Sequence, residues 1–258
     1  MSSSIWKNYA ANEGEEPLHL NIDSLHVWIK RKNEEFWISY AYADDTKKPP
    51  RIDEKTEWER WAPKADESDI QVRPVFPDLP VIVSSEYPLK LTPGAKIEVY
   101  CRIPAWMEIS LAKSKYVLHE IPINKLSRTW FGDTMEGELC YWLTSKARRN
   151  LAEVESKPFL INCPIQITNK SNTELNFERF CYRVERLSIY NVKNELWADE
   201  TRIVYQGEEQ HSDVTMTGKL PAHLGKGEQI TKPRHPISRS FATRTFKMLF
   251  DDTLISAR

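Results

Sequence analysis

Glu136 and Glu138 stand two apart in the stretch LSRTWFGDTMEGELCYWLTSKARRNL, which also carries the basic pair Arg148 and Arg149. Paired carboxylates are the usual tools of hydrolysis, one acting as acid and the other as base or nucleophile. On a strand, residues i and i+2 point to one face, so this pair can share a site. Ordinary strands carry such pairs too, and no histidine or third carboxylate accompanies this one. No catalytic residue is therefore assigned. Trp130, Phe131, Asp133, Glu136, Glu138, Arg148 and Arg149 are instead a candidate binding surface. A hydrolase or transferase built from Glu136, Glu138, Arg148 and Arg149 around the Trp130 loop is the alternative. It requires those groups to converge on one point.

The remaining chemistry-bearing residues are dispersed. Cys101, Cys140, Cys163 and Cys181 are widely spaced, each within strand-like sequence. Zinc sites need Cys or His pairs at short spacing, so neither a metal nor a cofactor is expected. Four buried thiols are the expectation. His26 has no second ligand near it in sequence and reads as a strand surface residue.

The chain has 258 residues, 40% hydrophobic and 28% charged, the balance of an ordinary globular protein. The net charge of -1 provides no general field for nucleic acid or membrane. No stretch approaches the roughly 18 apolar residues of a spanning helix. The N-terminus lacks the basic start and apolar run of a signal peptide, so a cytoplasmic location is expected.

Aromatic content of 11% with 16 prolines and 8 glycines leans toward strands. Period-2 alternation runs through Leu25–Ile29 and Phe36–Tyr42, a hairpin, and through Lys96–Ile103 and Met107–Leu111. Thr129 to Thr134 reads as a loop and Glu138 to Leu143 as a strand. Pro164–Thr168 and Leu175–Phe177 read as a second hairpin, and short strands follow at Leu187, Ile203 and Val214. Residues 44–69 form a charged loop in which Trp58 and Trp61 suit one face of a short helix. Ala242, Phe246, Leu249, Phe250 and Leu254 fall at helical spacing near the C-terminus.

These patterns predict a mainly β protein of two sandwich-like, immunoglobulin-like units with a short C-terminal helix. The expected segments are 1–155, 156–230, and a basic linker with helix at 231–258.

RPVFPDLPVIVSSEYPLKLTPGAKIEVYCRIPAWMEI, the central stretch, and PIQITNKSN together resemble a prokaryotic family called domain of unknown function 432. Its members share a Trp-Phe-Gly then Glu-Gly-Glu-Leu-Cys-Tyr core, matched here at Trp130–Gly132 and Glu136–Tyr141. The likeness runs from about Trp6 to the C-terminus. Trp142 and the run Cys181-Tyr182-Arg183-Val184 depart from the family's pattern. The resemblance implies an independently folding β protein and transfers no catalytic residue.

The preferred function is a non-enzymatic binding or structural module for a protein partner or small ligand. The apolar stripe of the C-terminal helix is expected to bury against the chain's own β body, with an oligomer through that helix as the alternative. Nucleic-acid binding is a lesser alternative, and it needs Lys232, Arg234, Arg239 and Arg244 on one surface.

Overall fold

A computed structural model describes residues 4–43, 49–64, 67–135, 137–153, 156–207, 211–235, 241–243 and 246–248. For Phe177 and the last two segments the description is of the backbone alone.

The strands in order begin with β1 (Asn8–Ala10), β2 (Leu18–Ile22), β3 (Leu25–Lys32), β4 (Glu35–Tyr42), β5 (Glu59–Trp61) and β6 (Asp69–Val75). Next come β7 (Val81–Leu91), β8 (Lys96–Pro104), β9 (Trp106–Leu111), β10 (Val117–Pro122), β11 (Ser127–Phe131) and β12 (Glu138–Ala147). Then follow β13 (Leu160–Asn169), β14 (Leu175–Tyr182), β15 (Ile189–Val192), β16 (Glu195–Ala198) and β17 (Thr201–Tyr205). The last are β18 (Ser212–Met216), β19 (Glu228–Thr231), β20 (Phe241–Thr243) and β21 (Phe246–Met248). Helical structure among the described residues is confined to 3-10 turns.

The chain divides into two units. One comprises residues 1–75 and 105–125, the other 76–104 and 126–258. The segments expected from composition were contiguous, whereas these units interleave along the chain. Strand pairing is the cause in the second unit: β7 pairs with β12 and β14, and β8 pairs with β13.

The first unit has two antiparallel sheets, ordered β1-β6-β9-β10 and β2-β3-β4-β5. The β3–β4 hairpin closes through Asn33 and Glu34, both at positive φ, the conformation of a tight primed turn. Leu25, Val27 and Ile29 of β3 and Phe36 and Ile38 of β4 are buried. Trp58 and Trp61 belong to no helix. Trp61 ends β5, and Trp58 precedes it with its ring 6.4 Å from that of Trp37. Lys30 Nζ sits 3.9 Å from the Trp58 ring centroid.

The second unit holds the sheet β11-β12-β7-β14-β21 and a larger sheet ordered β19-β15-β16-β13-β17-β18-β20. β8 flanks β13 in the larger sheet. Ser127–Phe131 is strand, in place of the loop expected from Thr129. β13 and β14 are not a hairpin, because each joins a different sheet. The connection between them is held by Asn169, whose amide donates to the carbonyls of Leu91 and Thr173, each at 2.8 Å.

The expected C-terminal helix is corrected. Phe241–Thr243 pairs with β18, and Phe246–Met248 pairs with β14. Leu249, Phe250 and Leu254 lie outside the described residues. Phe241, Thr243 and Phe246 are good strand formers. A short isolated helix is marginal in water, while two sheet edges supply backbone partners directly. Self-association through that helix loses its basis.

Candidate functional site

The hairpin β11–β12 carries most of the predicted surface. Its strands run in continuous register from Ser127 opposite Trp142 to Phe131 opposite Glu138. The loop between them is organised by Asp133. Its carbonyl oxygen accepts the Trp130 indole N–H and the Gly137 amide, each at 2.9 Å. Its carboxylate accepts the Met135 amide at 2.9 Å, the local turn that Asp favours.

Both glycines of the hairpin are required by geometry. Gly132 has φ of 104, a region open to glycine. At Gly137 an added Cβ would stand 2.1 Å from the Trp130 indole nitrogen. The Trp-Phe-Gly and Glu-Gly-Glu core is thus a loop-building motif: the indole lies over one glycine and is anchored by the loop's aspartate.

Trp130 and Leu139 are directly opposite on the two strands and project to the same side. Trp130 is 53% exposed, Leu139 41% and Met135 91%. Met135 and Leu139 were not among the sequence candidates. Met135 carried a signal all the same, as an apolar side chain among the turn residues Gly132, Asp133, Thr134 and Gly137.

Phe131 points to the other face. It is buried with Ile82, Cys140 and Cys181, and Trp142 packs against them. Glu138 is on this face as well. Its carboxylate pairs with the Arg183 guanidinium and lies 3.5 Å from the Cys181 sulfur. The sulfurs of Cys140 and Cys181 are 3.7 Å apart. The Cys181 thiol is raised above its ordinary pKa, first by the neighbouring Cys140 and then by burial. Both thiols are buried, which places them in the packing of this face.

Glu138 and Arg148 do not meet. Glu138 begins β12 and Arg148 directly follows its last residue, separated by roughly 30 Å at the usual rise per residue. Arg148 pairs with Glu86 at 3.1 Å, and its backbone bridges to Tyr100. Arg149 is exposed. Glu136 lies outside the described residues. Arg183, the true partner of Glu138, is 45 residues away in sequence and gave no local signal.

Elsewhere, all four cysteines are buried and free. They are paired in space, Cys101 opposite Cys163 on β8 and β13, and Cys140 beside Cys181. His26 is buried rather than on the surface. It stacks on Trp28 and His19, with a ring nitrogen 3.0 Å from that of His19. Burial, then His19, lowers its pKa. No group of three or more His, Cys, Asp or Glu among the described residues can hold a metal. Of the basic C-terminal residues, Arg234 donates to the Phe76 carbonyl at 2.7 Å, and Arg239 and Arg244 lie outside the described residues. No helix among the described residues is long and apolar enough to cross a membrane.

Fold and surface together define a mainly β protein of two units, one of which presents a motif-built hairpin with an apolar tip. The chain belongs to the family described as Protein of unknown function (DUF432), whose model matches residues 5–250. No curated protein matches the chain, and no solved structure does.

Proposed function

We propose that the protein is a non-enzymatic binding module and that the β11–β12 hairpin is its recognition surface. One observation carries this reading. A loop fixed by Asp133 and two glycines holds Trp130, Met135 and Leu139 outward instead of burying them. Rigid loops presenting aromatic and methionine side chains are common anchors for partners. The exposed Asp133 and Arg128 supply polar groups beside it. The second unit would be the sandwich-like support that carries the hairpin. Four buried free thiols suit the reducing cytoplasm. The hydrolase or transferase alternative lacks support, because Glu138 and Arg148 have separate partners.

Capture from native extract with wild-type protein and with Trp130→Ala and Met135→Ser variants tests this. The expected result is a bound protein or ligand retained by the wild type and lost from both folded variants. Identical retention by all three would refute the hairpin's role.

A further inference from the structure

The open edge of β11 identifies the kind of partner that the hairpin takes. Exposed sheet edges are templates for pairing, and proteins blunt them with short strands, bulges, prolines or charges. Most edges here are blunted. β1, β5, β20 and β21 are three residues long. The pairings of β10 and β19 contain register shifts. β8 has nine residues in unbroken register, but its open side is bridged at Tyr100 by Arg148; β2 and β11 have five each in unbroken register. Of these two, β11 is the one that presents an exposed large hydrophobic residue, Trp130.

The direction of the β11 backbone follows from its neighbour. The Tyr141 amide donates to the Pro80 carbonyl at 2.8 Å, toward the β7 side. Tyr141 is opposite Arg128, so this is a non-hydrogen-bonded pair of the hairpin. The N–H and C=O groups of Arg128, and by alternation those of Trp130, therefore point to the open edge. Those of Thr129 point inward to Cys140. Among the described residues β11 is paired on one side alone.

Resting on the binding reading above, we propose that β11 pairs antiparallel with β11 of a second copy about a twofold axis at Thr129. The pattern is self-complementary. Arg128 of each copy faces Trp130 of the other as a hydrogen-bonded pair, using all four outward groups on each strand. The Arg128 guanidinium already lies beside the Tyr141 phenol, so a Tyr141–Arg128–indole row would form on either side of the axis. Centring on Arg128 would instead set like charges opposite each other, which is unfavourable. A twofold contact uses one patch twice, as an isologous dimer requires.

Sedimentation equilibrium measures the assembly, and the expected mass is twice 30.2 kDa. Arg128→Pro removes an outward N–H but leaves the inward bonds of β11 in place. It and Trp130→Ala should each weaken the dimer roughly tenfold or more. Thr129→Cys gives a readout without disrupting the edge. Opposite residues of a non-hydrogen-bonded pair have Cα atoms about 4.5 Å apart, within disulfide range, so oxidation with hydrogen peroxide should link two chains through residue 129. A monomer at all concentrations up to about 100 μM overturns the proposal. So does a dimer that survives Arg128→Pro and does not cross-link through Thr129→Cys. A monomer that still captures another partner through Trp130 would leave the binding reading intact; loss of both would end both.

Discussion

The Trp130 indole occupies the space that a side chain on Gly137 would need. A Cβ there would approach the indole nitrogen to 2.1 Å and the Asp133 carbonyl oxygen to 2.5 Å. Gly137→Ala should therefore push the indole off its anchor and distort the loop. The expected loss is about 1–3 kcal/mol of stability, as for other overpacked sites. Urea denaturation of the single and double variants measures it. The loss should be smaller in a Trp130→Ala background, where one of the two clashes is gone. An equal loss in both backgrounds would exclude the contact.

Glu138→Gln removes the charge facing Arg183, whose side chain is 12% exposed. Removing one of the carboxylates near a largely buried guanidinium is destabilising, here by about 1–2 kcal/mol, because Glu138 is partly solvated and Glu185 remains close. Denaturant midpoints should show this loss. Arg148→Gln at the far end of the strand should change stability little, because the ion pair it makes with Glu86 is more solvated on the Arg side.

Asp199 is fully buried in the connection between β16 and β17, and its carboxylate accepts the Ser188 and Gly218 amides at 2.7 and 3.1 Å. Burial raises its pKa from 3.8 to about 6, against the two hydrogen bonds that lower it. A carboxyl raised on folding contributes stability below its unfolded value and loses it as the pH climbs through the folded one. Stability should thus fall between about pH 4 and 6, on the order of 3 kcal/mol from this group. Thermal unfolding across that range, with and without Asp199→Asn, is the check. The same slope in both proteins would remove Asp199 as its source.

The four thiols should be slow to react in the native state. All are buried, and burial is a cause of the raised pKa of both Cys163 and Cys181. Thiol titration should find no fast-reacting group in native protein and four in denaturant. A rapid native reaction at Cys140 or Cys181 would contradict the packing beneath Glu138.

The β class of the protein was legible in its sequence because side-chain alternation is a local property. Leu25, Val27 and Ile29 or Ile97, Val99 and Cys101 declare a buried strand face without reference to any partner. The central motif was legible as well, as residue types with turn chemistry around Trp130. The identity of the neighbouring strand was not. β7 lies between β12 and β14, and β13 and β14 part into different sheets, through pairings that span long stretches of chain. Backbone hydrogen bonds carry no residue code, so register and sheet membership are decided when faces pack. The same holds at the ends of the chain and of the site. Phe246 had helical spacing, yet a sheet edge claimed it; Glu138 had a carboxylate neighbour in sequence, yet its counter-ion is Arg183. Tertiary structure decided these points because charge pairing and edge pairing depend on distance in space.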